Sequence, residues 1–268
     1  MEHIKIATLN INGLSFPTKV AMLVEFMRLQ EIDILLVQEV TKPVLHNIYG
    51  YNMHYNIEAT MRSTAIITRD SISLENVTML PSGRTIAAKF REIWIINLYT
   101  SSGMARKQDR EKFYYNEVPY IIATVGDHIL LDGDFNCILD PTDTTGSYNY
   151  SRALQELKQG LAMVDTWQPN TDRRVYTHIS ASGASRLDCI YITKELNSRK
   201  RGVEVVAVAF TDHPAVCLRL SAEFPILRTG HGMWKMDNDV LTEITGTNKM
   251  RTAPTTQMIL SRYNNVVG

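Results

Sequence analysis

The sequence predicts an α+β chain built on stacked mixed β-sheets with helices outside. Three observations carry this. Helical and strand patterns are interspersed, yet many strands are near neighbours in sequence, which disfavours a clean parallel βαβ fold. At 268 residues the chain is long enough to bury a full core. Its 44% apolar and 21% charged composition is that of an ordinary folded protein.

The elements follow in order. Ile4-Lys5-Ile6-Ala7-Thr8-Leu9 alternates and reads as a strand. Pro17 fits the first turn of a helix, in which Val20, Leu23, Val24 and Met27 share one face. Ile34-Leu35-Leu36-Val37 is a continuous apolar run of strand length, covered on both faces. Residues 64–68, 85–90 and 93–98 are further strands. A helix is expected over 105–125, kinked or restarted at Pro119. Residues 128–131 form a strand, and Leu154, Leu157 and Leu161 mark a short helix. Strands then crowd together at 175–178, 187–193, 203–210 and 216–221. After Leu241 the periodicity fades.

The 28 basic and 28 acidic residues cancel, which excludes a chain whose main task is gripping nucleic acid by bulk charge. Cys137, Cys189 and Cys217 are far apart in apolar surroundings, so free buried thiols are expected rather than a zinc site or disulfides. No signal peptide is read in MEHIKIATLN and no apolar run is long enough to span a bilayer, so the expectation is a soluble cytosolic or nuclear chain.

Polar residues recur where strands end. Asn10 follows the first strand, Glu39 the second and Tyr99 the 93–98 strand. Asp134 and Asn136 follow 128–131, Asp188 lies within Leu187-Asp188-Cys189, and Asp212-His213 follows 203–210. Each alone reads as a turn or a solvated group. Six at one sheet edge read as a site, because catalytic groups cluster where strand ends converge.

The ordered set Leu9-Asn10-Ile11-Asn12-Gly13-Leu14, Gln38-Glu39, Asn97-Leu98-Tyr99, Gly133-Asp134-Phe135-Asn136, Leu187-Asp188-Cys189-Ile190-Tyr191 and Asp212-His213 resembles the endonuclease/exonuclease/phosphatase superfamily. The resemblance spans about residues 3–222. Within the superfamily, Asn12 and Tyr176-Thr177-His178 resemble the endonuclease domain of non-LTR (long interspersed element type) retrotransposon polyproteins, and Trp234-Lys235-Met236 resembles the short segment that follows the nuclease in them. The resemblance implies a four-layer α/β sandwich, two facing mixed sheets flanked by helices. It implies an endonuclease domain over 1–225, a post-nuclease linker over 226–244 and a tail or truncation edge over 245–268.

The implied activity is metal-dependent nicking of one DNA strand, leaving a 3′-hydroxyl for target-primed reverse transcription. Rival readings are an abasic-site repair endonuclease, a superfamily phosphatase or phosphodiesterase on a small molecule or lipid, and a catalytically inactive DNA-binding domain. Glu39, with Asn10, would hold Mg²⁺, which Mn²⁺ could replace. Asp134 would orient or deprotonate the attacking water, and Asn136 would position it. His213 would serve as cation or proton carrier, with Asp188 fixing its tautomer. Asp212 would bind metal or face the leaving group. Tyr99 and Thr177 would donate to phosphate oxygens. Arg186 and the run Arg199-Lys200-Arg201 would track DNA, whereas the face carrying Arg106, Lys107, Arg110 and Lys112 reads as solvated. Implied partners are double-stranded DNA and the reverse transcriptase domain of the same polyprotein, with no membrane and a monomeric isolated domain. The implied location is the nucleus after cytoplasmic synthesis.

The sequence departs from the family in three places. Val40 follows Gln38-Glu39 where Thr is commoner, Thr100-Ser101 follows Tyr99 in place of Ala-Pro, and His178 stands where an aromatic is usual. None removes an implied ligand.

Overall fold

The computed structural model describes residues 3–41, 49–55, 63–147, 149–167, 175–181 and 183–221. The first half of the chain holds β1 (His3–Asn10), α1 (Pro17–Leu29), β2 (Ile34–Val40), β3 (Tyr51–Tyr55), β4 (Ser63–Arg69), β5 (Glu75–Met79), β6 (Thr85–Phe90) and β7 (Ile93–Tyr99). There follow α2 (Lys107–Ile122), β8 (Ile129–Asp134), α3 (Arg152–Gly160), β9 (Met163–Asp165), β10 (His178–Ser180), β11 (Gly183–Ser185) and β12 (Asp188–Thr193). The last are α4 (Lys194–Asn197), β13 (Lys200–Val206) and β14 (Ala215–Ser221). The linker and tail expected over 226–244 and 245–268 lie outside the described residues.

Two six-stranded sheets run β13-β14-β1-β2-β4-β3 and β5-β6-β7-β8-β12-β9, and β10–β11 forms a separate hairpin. Each large sheet is mixed, with parallel pairs β1–β2 and β7–β8 among antiparallel neighbours. Ile4, Ile6, Ile34 and Leu36 of the first sheet share a core with Ile86, Ile95, Leu130 and Ile190 of the second. Outside the first sheet, Leu23, Phe26 and Met27 of α1 pack on Leu9, Leu35 and Val37. Outside the second, Phe113, Val118 and Ile121 of α2 and Leu154 of α3 pack on Ile96, Leu98 and Leu131. The order helix–sheet–sheet–helix is the four-layer sandwich expected.

A strand presents alternate residues to one face, so each inner face can be read at a period of 2. In β1 it reads Ile4, Ile6, Thr8, Asn10, and in β7 Ile93, Ile95, Asn97, Tyr99. In β8 it reads Leu130, Asp132, Asp134, and β12, running the other way, begins at Asp188. Every one of these faces changes from apolar to polar along its length. The register aligns the polar ends, since Asp134 lies opposite both Tyr99 and Asp188, and Asn10 lies opposite Gln38. One end of the sandwich is therefore oil-filled and the other lined with hydrogen-bonding groups.

Where the two regimes meet, side chains tie the sheets together. Gln38 Nε2 donates to Thr8 Oγ1 and across the sandwich to Asn97 Oδ1, both at 2.8 Å. Asn97 Nδ2 donates back to the carbonyls of Val37 at 3.0 Å and Ala65 at 2.9 Å. All are buried, and breaking one would strand its partner at a cost of about 1–3 kcal/mol.

Local expectations fare differently. α2 runs unbroken through Pro119. Pro119 is exposed, so the carbonyl it leaves unbonded faces water rather than the core. Of residues 175–178 only His178 is in a strand, and the strand expected over 203–210 stops at Val206. On α1 the fully buried residues are Leu23, Phe26 and Met27, with Val20 and Val24 only partly covered.

Gly133 in β8 sits at φ +139°, and a Cβ there would lie 1.9 Å from the Leu98 carbonyl oxygen of β7. No side chain fits without parting the central parallel pair. Gly133→Ala is expected to destabilise by about 4 kcal/mol or more, or to abolish folding, as read by urea denaturation.

Candidate active site

The polar end opens into a cleft of about 470 Å³ lined by Asn10, Glu39, Asp134, Asn136, Asp212 and His213, among others. All six were expected on sequence grounds, and the fold brings them together.

Glu39 reaches the cleft through a backbone irregularity. Between Val37↔Ala65 and Val40↔Ser63 the β2–β4 register shifts, so two β2 residues oppose one of β4. This is a β-bulge. Strict alternation would send Glu39 to the outer face, away from inward-facing Gln38. The bulge instead holds Glu39 at φ +57°, a conformation that costs a non-glycine residue about 1–2 kcal/mol. Its carboxylate Oε1 accepts from the Tyr99 hydroxyl at 2.8 Å. Asn12 and Asn136, also on the cleft, have φ +47° each, which asparagine tolerates better.

Asp134 is clamped by three N–H groups. Asn10 Nδ2 donates to Oδ2 at 2.9 Å, Asn136 Nδ2 to Oδ2 at 3.0 Å, and the Asn136 backbone N–H to Oδ1 at 3.0 Å. Burial, then the nearby Asp188 charge, push the Asp134 carboxyl up to about 7. Asn136 is itself held: its Nδ2 also donates to Thr100 O at 2.9 Å, and its carbonyl accepts from Asn149 Nδ2 at 2.8 Å.

His213 Nδ1 lies 2.8 Å from Asp188 Oδ2. Burial opposes the charged imidazole, but the hydrogen bond to Asp188 and the charges of Asp188, Asp134 and Asp212 win, raising His213 to about 9. The ring is a cation at neutral pH with Nε2 left for the cleft. Asp212 is exposed beside it. Burial would raise its carboxyl, but its backbone hydrogen bond and His213 hold it below the ordinary carboxylate range.

The donors around Glu39 suit a hard divalent cation. Glu39, Asn10 and Asp134 offer carboxylate and amide oxygens, and among the described residues Asn10 Oδ1 accepts only the Asn12 N–H at 3.0 Å, leaving a lone pair.

Four expectations are corrected. Tyr99 does not face the cleft: it is buried and its hydroxyl is spent on Glu39, so it positions that carboxylate. Thr177 is fully buried, and its Oγ1 accepts the backbone N–H groups of Leu187 and Asp188 at 2.9 Å each. It sets the start of β12 and cannot reach DNA. Arg186 is also buried, forked between Asp143 (2.8 and 2.9 Å) and Asp165 (2.7 Å), so no guanidinium edge remains for a phosphate. The Arg199-Lys200-Arg201 run lies at the opposite end of the sandwich. Lys200 pairs with Leu220, seven residues along the chain from His213, or about 20 Å at strand rise. There Arg199 bonds Glu92 and the Ser221 carbonyl, and Lys200 Nζ bonds Thr166 O at 3.1 Å.

Sequence reading also missed groups. Arg110, read as solvated, is buried, with Nη1 donating to the Ser101 and Gly103 carbonyls at 2.7 Å each and Nη2 to Asn149 Oδ1 at 2.8 Å. It shapes the 101–104 loop that lines the cleft and, through Asn149, backs Asn136. The signal available was Arg110 on the same helical face as Phe113 and Tyr114. The β10–β11 hairpin, which contributes His178, Ser180 and Gly183 to the cleft, went unread because three-residue strands carry no periodicity.

Known proteins resemble this chain in sequence and in fold. A Xenopus laevis protein described as the transposon TX1 uncharacterized 149 kDa protein is 25% identical over 256 residues. That match takes in 89% of this chain and 19% of the frog protein, so the chain spans about a fifth of that relative. Among solved structures, the Neisseria 3′ phosphatase NExo bound to product DNA hairpin superposes with TM-score 0.68 at 19% identity, covering 82% of this chain and 100% of that one. An AP endonuclease from Archaeoglobus fulgidus gives TM-score 0.68 at 20% identity with the same coverage. Residues 7–213 match the family pattern itself, and the chain belongs to the Endonuclease/Exonuclease/phosphatase family.

Proposed function

We propose that this chain is the DNA-nicking endonuclease domain of a retrotransposon protein. It cuts one strand of duplex DNA and leaves a 3′-hydroxyl, which primes reverse transcription by another domain of the same polyprotein. The observation that carries the reading is the convergence of strained Glu39, clamped Asp134 and the Asp188–His213 pair in one open cleft. The transposon relative favours a mobile-element origin, and the structural relatives' names concern DNA. Among the described residues no helix is long and apolar enough to cross a membrane.

Held at Glu39 and Asn10, Mg²⁺ or Mn²⁺ would neutralise phosphoryl charge and polarise the scissile bond. Asp134, poised near 7 by burial, takes the proton of the attacking water. Asn10 and Asn136 fix both of its oxygens, so little reorganisation is needed at the moment of reaction. The Asn136 amide oxygen, its N–H groups being spent, accepts from that water. His213 presents Nε2–H as a cationic donor to a non-bridging oxygen, and Asp188 keeps the ring charged and aimed. Asp212 faces the leaving-group side of the cleft. Exposed Met104, on the 101–104 loop, and exposed Ile179, in β10, offer apolar contact to the duplex.

With supercoiled plasmid, nicking is expected with Mg²⁺ and not with EDTA. Asp134→Asn and His213→Ala should each cost about 10²–10⁴-fold, with the double variant losing far less than the product. Equal nicking by wild type and both variants would overturn the mechanism. A strong preference for an abasic over an intact duplex would instead favour a repair enzyme.

The pH profile should be a bell. Its acid limb lies at or below about 7, because Asp134 must be ionised and a bound cation helps it to be. Its alkaline limb lies near 9, because His213 must keep its proton. Single-turnover rates against pH, with His213→Gln lacking the alkaline limb, check this.

A further inference from the structure

In the same cleft a second donor set differs in chemistry from the oxygen-rich position at Glu39. His178, which begins β10, and Asp212 and His213, which precede β14, each bring one ligand atom within 4.8 Å of the other two. The two imidazole rings are 5.1 Å apart and inclined at 44°, so they converge rather than stack. His213 Nδ1 is taken by Asp188 Oδ2 at 2.8 Å, which leaves Nε2 as its only ring nitrogen for a cation. A carboxylate behind a ligating imidazole is the outer-shell arrangement that fixes its tautomer and strengthens it as a donor. Asp212 is exposed, and among the described residues its Oδ1 has only long contacts at 3.4 Å from Asn12 Nδ2 and Thr211 Oγ1, so its carboxylate is easily recruited.

We propose that His178, Asp212 and His213 form a binding site for a borderline divalent transition metal of the zinc class, distinct from the hard-cation position at Glu39 and Asn10. Two imidazole nitrogens and one carboxylate oxygen, with a fourth position open to the cleft, suit such an ion. Mg²⁺ prefers oxygen alone and keeps its waters, so it does not compete for this set. Tetrahedral ligands on bonds of about 2.0–2.1 Å stand roughly 3.3 Å apart. The separation within 4.8 Å therefore closes by turning His178, which is only half-buried on a two-stranded hairpin. An ion on His213 Nε2 withdraws that imidazole from any phosphate. Occupancy should thus inhibit nicking, a consequence that rests on the proposed function, whereas binding itself does not.

The test uses the whole metal-free chain without DNA, titrated with Co²⁺ at about pH 8, where the ion must displace the proton that His213 otherwise holds to about 9. The expected result is one saturable equivalent with visible d–d absorption, displaced by Zn²⁺ and not by a large excess of Mg²⁺. His178→Ala and Asp212→Asn should each weaken binding by at least about tenfold, with circular dichroism unchanged. No Co²⁺ band from the folded chain, or equal affinity in His178→Ala, would overturn the proposal. So would displacement by Mg²⁺, which would assign the ion to the oxygen site, or thiolate charge-transfer bands, which would assign it to a cysteine. Failure of the nuclease reading would show as absent nicking and would leave the Co²⁺ titration unchanged.

Discussion

Three carboxyl groups, Asp132, Asp134 and Asp188, sit fully buried on adjacent strands of one inner sheet face, and the polar end of the molecule is organised around their charge. Bringing carboxylates this close out of water is costly unless charge is removed, matched or hydrogen-bonded. The fold uses all three remedies. Burial, reinforced by Asp188, drives Asp132 well above the ordinary carboxylate range, which favours its uncharged form. Asp134 is half-way, with three N–H donors around it. Asp188 carries the imidazolium of His213. The histidine crosses from the segment before β14 in one sheet to β12 in the other, so the same contact that compensates charge also joins the sheets at the cleft.

The chemistry depends on departures from regular structure. Glu39 is aimed by a bulge and a left-handed backbone, and Gly133 lets β7 and β8 approach where the polar face begins. Strain of this kind persists only where its surroundings over-determine it. Here the constraint is visible: Gln38, next to Glu39, is bonded across the sandwich to Asn97, and Glu39 itself to Tyr99. The apolar end supplies the rigidity and the polar end spends some of it on geometry.

Much of this was legible in the sequence because inner faces repeat every second residue. Asn10, Asp134 and Asp188 each stand at the polar end of such a face, and their convergence follows once the strands are aligned. What could not be read is which polar groups face each other across the sandwich. Tyr99 and Thr177 offer hydroxyls that suit a phosphate equally well, and only the fold shows them spent on Glu39 and on the backbone at Asp188. Arg186 and Arg199 read as free cations because Asp143, Asp165 and Glu92, which neutralise them, are distant in sequence. A zero net charge likewise hides that many basic residues are consumed by the fold. On the proposed function, DNA affinity would come from local contacts around the cleft and be weak and salt-sensitive.

Asp188 holds His213 as a cation inside a buried carboxylate cluster. The direct measurement is an NMR titration of the His213 imidazole in the metal-free wild type and in Asp188→Asn. The wild type should titrate near 9, and the variant should titrate well below the wild type once that charge no longer opposes burial. An unchanged His213 titration in Asp188→Asn, or a wild-type value near the ordinary 6.5, would contradict the account.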